Sequence, residues 1–459
     1  MQELNFNNIH KFSFKDFKIL LDINSGSVHV IDEITWDYLD ELENQEGNWE
    51  KSQETLGKKY ETNLLNDVRG ELQELIANNL LFSEDIDLDL YQPNPNPVVK
   101  ALCLHVAHDC NLRCGYCFAG TGAFGGQRSL MSREVGQRAI DFLLAGSQNR
   151  KHVEVDFFGG EPLLNFDVVK ELVAYGNKKA QELGKIIKFT ITTNGVLLSD
   201  EVQQFLNENN MSVVLSLDGR EKTNDHMRPF PNGSGSYALI KDKFLKFVKS
   251  RNQTDYYVRG TFTRYNLDFA EDVKHLAELG FKEISVEPVV AEVSLDYAFK
   301  EEDLPFLKEQ YNVLTKYFWD SHVSGRGFNF FHYNIDLNHG PCLPKRLSGC
   351  GAGHEYLAVS PEGDLYPCHQ FVGQKKYRVG NVYKGLEQKE LAVEFQKSHV
   401  LSKEECRKCW ARFYCSGGCH ANNLNYGGSL LKPYTFGCEL QRKRLECAIY
   451  LQVKKTVEQ

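Results

Sequence analysis

Three cysteines in the first half of the chain could together hold a metal group. Cys110, Cys114 and Cys117 follow one another at four- and three-residue steps, directly after an apolar run. A structural zinc ion normally takes four Cys or His ligands, whereas a [4Fe–4S] cluster held by three thiolates leaves one iron open for another ligand. The spacing therefore favours an open iron–sulfur centre. A zinc site with His105 or His108 as the fourth ligand is the alternative.

A second group of seven cysteines lies near the C-terminus. Cys350 and Cys368 enclose Gly363 in the pattern C-x12-G-x4-C. Four more cysteines follow with the spacing C-x2-C-x5-C-x3-C, and a single cysteine comes after a gap. Thirteen cysteines in a chain without a secretion signal indicate metal or redox ligands rather than disulfides, because cytosolic thiols are kept reduced. The last five members of the array are Cys406, Cys409, Cys415, Cys419 and Cys438.

Short polar turns end three predicted strands and could bind a small ligand. The glycines of Gly159-Gly160-Glu161 would let the backbone approach a ligand closely, and the carboxylate could meet an amino group. Small polar side chains at two later strand ends suit a ribose or a carboxylate, and Arg228 is a candidate partner for a carboxylate. Taken singly, each turn could be an ordinary strand-to-helix connection. The small polar residues are Thr193, Asn194, Ser216 and Asp218.

Together with the Gly159-Gly160-Glu161 turn, the C-x3-C-x-aromatic-C stretch from Cys110 to Cys117 resembles that of the radical S-adenosylmethionine (SAM) enzymes. The resemblance implies a [4Fe–4S] cluster on the three cysteines that chelates SAM at its open iron, and a GGEP turn that holds the methionine amino group. It also implies that the reduced cluster cleaves SAM to methionine and a 5′-deoxyadenosyl radical, which removes hydrogen from a substrate carbon. The candidate SAM contacts are Tyr116, Gly159, Gly160, Glu161, Thr193, Asn194, Ser216, Asp218 and Arg228.

The C-terminal array resembles the SPASM domain, which carries two auxiliary iron–sulfur clusters in enzymes that act on peptides and proteins. The first cluster would take Cys350, Cys368 and Cys419, with Cys342 as a possible fourth ligand. Without Cys342, an open iron could bind a substrate thiolate, which is a natural ligand for such a cluster. The expected cofactors are thus SAM and three [4Fe–4S] clusters. The implied ligands of the second auxiliary cluster are Cys406, Cys409, Cys415 and Cys438.

Alternating strands and helices from residue 98 onward would position these groups. Such alternation implies parallel strands with right-handed crossovers, and six units predict an α/β fold with a partial (βα)6 barrel. Ligands should bind at the C-terminal ends of its strands, where the cysteine loop and the polar turns fall. Cys103 and Cys447 lie in apolar segments outside both arrays, which indicates buried structural thiols. The strands are predicted at 98–106, 153–158, 186–192, 213–217, 256–262 and 284–286.

Residues 1–90 have a different pattern, in which three strands precede helical periods. This winged-helix-like unit resembles the peptide-recognition modules of enzymes that modify ribosomally made peptides, which add a leader peptide as a strand to an exposed sheet edge. A dimerisation or purely structural domain is the alternative. The alternating prolines of 91–97 predict an extended linker. The barrel would then cover 98–320 and the SPASM domain 321–459.

Composition limits the possible partners. The 459-residue chain has a formal net charge of −9, which argues against a broad nucleic-acid-binding face. It contains no run of about 18 apolar residues and no signal-peptide pattern at its start. We therefore expect a cytoplasmic protein with neither a nucleic-acid nor a membrane partner.

Two stretches of the SPASM-like part, 342–353 and 366–371, resemble the maturases of SCIFF peptides (six cysteines in forty-five residues). The resemblance implies an oxidoreductase that joins a Cys sulfur to a carbon, as a thioether, in a cysteine-rich precursor peptide with a leader. The auxiliary clusters would accept the second electron, and flavodoxin or ferredoxin would be the reductant. The alternatives are an anaerobic sulfatase-maturing enzyme, which makes formylglycine, and a non-catalytic iron–sulfur electron-transfer protein.

Overall fold

The chain forms a small N-terminal sheet and one large sheet that runs through the rest of the protein. The structure is a computed structural model that describes residues 4–85, 94, 97–337 and 343–458, without the side chains of 343–345. Most of the expected linker lies outside these ranges. No helix within them is both long and apolar enough to cross a membrane.

Residues 4–85, here called the N-terminal module, combine a three-stranded antiparallel sheet with three helices. The sheet has the order β1-β2-β3, with Phe14 opposite Phe17 at the first hairpin. Apolar side chains such as Leu20, Tyr38 and Leu72 form its own core. The three strands and two of the helices were predicted from the sequence, whereas α2 was not. The elements are β1 (Ile9–Phe14), β2 (Phe17–Asp22), β3 (Val28–Ile31), α1 (Glu33–Asn44), α2 (Trp49–Leu56) and α3 (Thr62–Ala77).

Six parallel strands with intervening helices follow, which confirms the predicted α/β fold with its partial barrel. Ser132 and Ser199 cap two of the helices by accepting hydrogen bonds from backbone amides three residues later. A short seventh strand extends the sheet beyond the sixth. The strands are β4 (Ala101–Ala107), β5 (His152–Gly159), β6 (Ile186–Thr193), β7 (Ser212–Ser216), β8 (Tyr256–Phe262), β9 (Glu283–Pro288) and β10 (Asn329–Phe330). The helices are α4 (Arg133–Gly146), α5 (Phe166–Glu182), α6 (Asp200–Glu208), α7 (Glu221–Met227), α8 (Tyr237–Ser250), α9 (Phe269–Glu278) and α10 (Leu304–Val323).

The C-terminal part adds its strands to the same sheet. Strand β11 pairs in parallel with β4, with Tyr356 opposite Ala101 and Val359 opposite Leu104, and three antiparallel strands continue the sheet outward. The sheet order is β10-β9-β8-β7-β6-β5-β4-β11-β12-β13-β14. These strands are β11 (Tyr356–Val359), β12 (Asp364–Tyr366), β13 (Gly380–Asn381) and β14 (Gly385–Leu386). The helices are α11 (Leu343–Ser348), α12 (Lys389–Lys397), α13 (Glu404–Arg407), α14 (Arg412–Cys415), α15 (His420–Asn422) and α16 (Thr435–Glu458).

Side chains alternate between the two faces of the barrel strands. On β5, Val153, Val155 and Phe157 are fully buried against the helices, whereas Glu154 and Phe158 point to the other face and are less buried. We call this second face the inner face. It carries the polar residues of the strands, and the loops that follow the strand ends close over it.

Candidate active site

The glycine turn after β5 is fastened to the loop that carries the first three cysteines. Gly160 donates its backbone N–H to Ala107 O at 2.8 Å, and Glu161 donates to Asp109 O at 2.8 Å. A Cβ on Gly160 would lie 2.2 Å from Asp109 O, so a larger residue would force the two segments apart. We expected these glycines to admit a ligand. In the structure their close approach to the neighbouring backbone also fixes the cysteine loop.

Glu161 is fully buried and its carboxylate is already engaged by the protein. It accepts hydrogen bonds from Thr193 Oγ1 at 2.8 Å, from the Asn194 amide at 2.7 Å and from the Leu163 amide at 3.0 Å. Burial raises the pKa of Glu161 to about 7, although these donors oppose the shift. The sequence suggested a carboxylate open to an amino group. The structure adds a second role, because Glu161 also ties together the turns that follow β5 and β6.

The turn after β6 reaches the first cysteine. Asn194 Nδ2 donates to Asn111 Oδ1 at 2.7 Å and lies 3.6 Å from Cys110 Sγ. Thr193 is buried, and its hydroxyl group donates a hydrogen bond to Glu161. Ser216, at the end of β7, is half-buried and lies opposite Arg259 of β8. The ends of β5, β6 and β7 therefore meet around the cysteine loop, as expected for a parallel sheet.

Three other candidates form one buried polar group beside the cysteines. Tyr116 Oη donates to both carboxylate oxygens of Asp218, at 2.9 and 2.8 Å, and accepts from Arg228 Nη1 at 2.9 Å. Burial raises the pKa of Asp218 to about 6, against the opposing influence of Arg228 and Tyr116. Arg228 Nε is buried and has no hydrogen-bond partner among the described residues. A polar ligand at this position would relieve that deficit.

The three thiols of this loop are close enough to affect one another. Burial is the main cause that raises the pKa of Cys110 to about 11 and of Cys114 to about 12, and Cys117 adds to both shifts. Such thiols stay protonated unless a metal group replaces the proton. His105 Nδ1 and His108 Nε2 are 3.2 Å apart and hydrogen-bonded to each other. In the alternative zinc site, either histidine would therefore have to bind through its other ring nitrogen if this contact is kept.

The C-terminal cysteines form two separate groups. Cys406, Cys409, Cys415 and Cys438 line one cavity. In the other group, burial raises the pKa of Cys368, and Cys419 and Cys350 add to the shift. Cys342 lies outside the described residues. Cys103 and Cys447 are both buried, consistent with structural thiols.

Comparison with known proteins connects these groups to a family. A profile described as a 4Fe-4S single cluster domain matches residues 100–240, and SPASM, described as an iron-sulfur cluster-binding domain, matches residues 350–410. The radical SAM cyclopropyl synthase TigE of Paramaledivibacter caminithermalis is 24% identical over 367 residues, which cover 75% of this chain and 72% of that protein. The chain belongs to the radical SAM/SPASM family.

Two further relatives match different shares of the chain. The uncharacterized protein MJ0907 of Methanocaldococcus jannaschii is 34% identical over 188 residues, so the match spans only 62% of that protein and 41% of this chain. A cysteine-type anaerobic sulfatase-maturating enzyme of Clostridium perfringens is 26% identical over 350 residues, with 70% of this chain and 89% of that enzyme covered.

Solved structures share the fold of this radical SAM/SPASM protein. The structure of anSMEcpe with bound AdoMet and Kp18Cys peptide aligns with a TM-score of 0.65 and 22% identity, over 79% of this chain and all of that one. Streptococcus suis SuiB bound to S-adenosylmethionine aligns with a TM-score of 0.51 and 19% identity, over 94% of this chain and 98% of that one. The second alignment is long enough to include most of the N-terminal module.

Family membership makes SAM, a SAM-binding [4Fe–4S] cluster and auxiliary iron–sulfur clusters the cofactors of this protein. The described residues fit such groups. Lys403 is fully buried, and its ammonium donates to Gly417 O at 2.7 Å. A buried cation is costly without a nearby anion, and the four cysteines of the cavity supply negative charge once they bind a cluster as thiolates.

A charged group on the inner face of the barrel was missed in the sequence. Arg259 of β8 forms an ion pair with Glu287 of β9, and His332 Nε2 lies 4.0 Å from Glu287 Oε1. Arg444 of α16 reaches His332 Nδ1 at 3.0 Å. Burial alone would raise the pKa of Glu287, but Arg259, His332 and Arg444 lower it to about 2. The sequence did carry one signal for this group, because Arg259 is the one charged residue in the predicted strand 256–262.

His369 brings the C-terminal part into contact with this face. It directly follows Cys368 and packs against the ring of Phe158 on β5, with the ring centres 5.2 Å apart. Its ring is also 5.6 Å from that of Phe118, which directly follows Cys117. One half-buried histidine therefore lies between the segments that carry two of the cysteine groups.

Proposed function

We propose that this protein is a peptide maturase that installs Cys thioether cross-links in a ribosomally made, cysteine-rich precursor peptide. The observation that carries the proposal is the combination, in one chain, of the cysteine loop with its polar cradle, the two C-terminal cysteine groups and a module with an open sheet edge. The relatives support it, since TigE is named a radical SAM cyclopropyl synthase and another, 28% identical, is named a mycofactocin maturase.

In this proposal the first three cysteines hold the cluster that binds SAM. When bound and reduced, the cluster and SAM supply a 5′-deoxyadenosyl radical able to remove hydrogen from a substrate carbon. Asn194 keeps Cys110 in place, and the unpartnered Nε of Arg228 offers a donor to the SAM carboxylate. The Gly159-Gly160-Glu161 turn, which is fastened to the cysteine loop, would hold the methionine amino group.

The inner face would bind the peptide segment that reacts. The ion pair of Arg259 and Glu287 presents both a donor and a fixed anion to that segment, because the low pKa of Glu287 keeps its carboxylate charged. Cys350, Cys368 and Cys419 are the proposed ligands of the adjacent auxiliary cluster. If Cys342 leaves one iron open, that iron would take the substrate thiolate. The thiol would thereby lose its proton before the carbon–sulfur bond forms.

The outer edge of β3 is the proposed site for the leader peptide. The opposite edge strand, β1, also has no strand partner within the described residues, but it lies against α16, where Phe14 packs on Tyr450 with ring centres 4.3 Å apart. Within the described residues no strand pairs with the outer edge of β3, and Val30 on this strand is 48% exposed. An extended peptide could add there as a fourth strand, which leaves its side chains to provide specificity.

The decisive experiment follows the mass of a cysteine-rich precursor peptide. The protein is reconstituted with iron and sulfide without oxygen, reduced, and given SAM and the peptide. Thioether formation predicts a loss of two hydrogens per bridge, thiols that no longer alkylate, and 5′-deoxyadenosine. A mass change that replaces sulfur with oxygen would indicate formylglycine chemistry instead. Failure to cleave SAM would favour the electron-transfer alternative.

A point substitution tests the leader site. Val30→Asp places a charge at the proposed docking edge and should weaken binding of the precursor at least tenfold, measured by fluorescence anisotropy. Val323→Asp is the control, because Val323 is 68% exposed at the end of α10, outside the module. Equal affinities of the two variants would contradict the proposed site.

A further inference from the structure

The N-terminal module is packed directly on one of the cysteine groups. Residues 23–26, which connect β2 with β3 and are called here the docking turn, contact the loop from Cys406 to Cys415, called here the auxiliary loop. Ile23 is only 3% exposed and shares an apolar cluster with Cys406 and Phe413. The contact between the turn and the loop is therefore buried in the folded chain.

Arg412 links the docking turn to the cavity of the four thiols. It lines that cavity together with Cys406, Cys409, Cys415 and Cys438. Its side chain is 4% exposed, and its Nη2 donates to Asn24 Oδ1 at 2.7 Å. Its Nε is buried and unpartnered among the described residues. Part of the guanidinium is thus bonded to the module, while another N–H remains available to a group in the cavity.

Asn24 is itself held by the module in the orientation that Arg412 requires. Its amide nitrogen donates to Ser83 O at 3.2 Å and to Asp85 Oδ1 at 3.1 Å. The amide oxygen is thereby directed to Arg412. Asp85 Oδ1 also lies 3.6 Å from Arg412 Nη2 and supplies the nearest opposite charge.

A second contact fixes the same loop from another strand. The ring of His10 on β1 stacks on Trp410, with centres 4.0 Å apart and planes inclined by 4°. Trp410 directly follows Cys409. His10 Nε2 also lies 3.2 Å from Glu446 Oε1 on α16. Strand β1 and the docking turn therefore hold the auxiliary loop on either side of Cys409.

We propose that the N-terminal module is part of the second auxiliary centre, in which Asn24 holds the Arg412 guanidinium beside the four thiolates and so raises the reduction potential of their cluster. Reduction adds negative charge to the cluster, and a nearby buried cation stabilises the more negative state. The proposal rests on the cluster ligands proposed above. It does not depend on thioether formation.

Within the described residues, the module holds Arg412 in place but makes no such contact with Lys403, the other buried cation near these cysteines. Both cations are buried near the same cysteines, but Lys403 is held by Gly417 O within the C-terminal part. Loss of the docking turn would leave Lys403 in place and would release Arg412. A change of the module, such as occupation of the β3 edge by a peptide, can therefore reach the auxiliary centre through Arg412.

The test is a redox titration followed by electron paramagnetic resonance in the full-length, reconstituted protein without peptide. Cys110, Cys114 and Cys117 are replaced by Ala in every sample, so that only the auxiliary centres give signals. Arg412→Gln should lower the equilibrium constant for reduction of one centre about tenfold, or about 59 mV for a one-electron couple. Asn24→Ala should shift the same centre in the same direction by a smaller amount. Asn63→Ala, at an exposed position on α3, is the control.

The double variant distinguishes a held cation from two unrelated effects. Asn24→Ala combined with Arg412→Gln should give no larger shift than Arg412→Gln alone. An Asn24→Ala potential equal to that of Asn63→Ala would overturn the proposal, and so would additive shifts. If Arg412→Gln binds less iron, Arg412→Lys provides the charge-preserving comparison, and its potential should lie between those of the wild type and Asn24→Ala. Absence of auxiliary signals in the wild type would instead contradict the ligand assignment on which the proposal rests.

Discussion

The loop around Cys110 and the auxiliary loop both present closely spaced cysteines, but different forces hold them. The first is fixed by backbone hydrogen bonds from strand ends and from the segment after α7, for example Arg113 N to Pro229 O at 2.8 Å. The second packs against apolar side chains that include two from distant parts of the chain, Ile23 and Leu347. The barrel can therefore shape the first loop without a cofactor, whereas the second depends on docking and on its metal group.

Replacing Cys110, Cys114 and Cys117 together by Ala should have the largest effect on function. SAM cleavage should be abolished, while about eight irons remain if each auxiliary centre is a four-iron cube. The measurements are 5′-deoxyadenosine formation and iron content. Cys447→Ala removes a buried thiol outside both arrays and is the control. Continued deoxyadenosine production by the triple variant would contradict the assigned role of this loop.

Removal of iron should distinguish the two loops directly. Without metal, residues 400–440 should lose most of their protection against hydrogen exchange, because cluster binding and local folding are coupled. Strands β4–β9 should keep theirs, since their backbone hydrogen bonds do not involve the proposed cluster ligands. Hydrogen exchange with mass spectrometry before and after chelation measures both regions. Equal loss in both would show that the barrel also needs its cluster to fold.

Gly160→Ala tests whether close backbone contact holds the first loop. The added Cβ would lie 2.2 Å from Asp109 O, so we expect a loss of about 3 kcal/mol in the free energy of unfolding and weaker SAM binding. Gly70→Ala is the matched control, because no atom lies within 4 Å of its added Cβ. That change should be neutral or slightly stabilising in α3. Similar results for both variants in denaturant unfolding would argue against the contact.

The smallest expected effect concerns a buried carboxyl group on a barrel strand. Burial, with Glu154 as a second cause, raises the pKa of Asp156 on β5 to about 6, against about 4 in an unfolded chain. The folded state therefore binds this proton more tightly, and its stability falls as the pH rises from about 4 to 6 and stays lower above that range. Asp156→Asn should remove this loss.

At pH 7.5 we expect Asp156→Asn to stabilise the protein by about 1 kcal/mol, a value reduced for the partial exposure of the side chain. Near pH 4 the variant and the wild type should unfold alike. Anaerobic urea unfolding at the two pH values measures the difference. Asp242→Asn, 78% exposed on α8, is the control. An equal gain at both pH values would exclude titration of Asp156 as the cause.

The contrast between the two loops also explains what the sequence could predict. Local patterns were sufficient for strands such as β8, whose bounds are those predicted, because apolar alternation and turn residues are local properties. The spacing of cysteines is likewise local, and it led to the family. The contacts of Asn24 with Arg412 and of Arg444 with His332 join residues far apart in the chain. No local pattern encodes such contacts, because they depend on how separate elements pack.

The pairing of β11 with β4 determines how far apart two of the proposed centres lie. Cys110 follows the C-terminal end of β4, whereas Cys368 follows β12, which runs antiparallel to β11 and so ends near the beginning of β4. The seven residues of β4 span roughly 20 Å, and the cysteine loop folds back along this length until Phe118, after Cys117, lies 5.6 Å from His369, after Cys368. Electron tunnelling slows exponentially with distance, so a rigid strand between donor and acceptor gives a rate that domain motion does not change. To alter the spacing, the protein would have to break the hydrogen bonds of a continuous sheet.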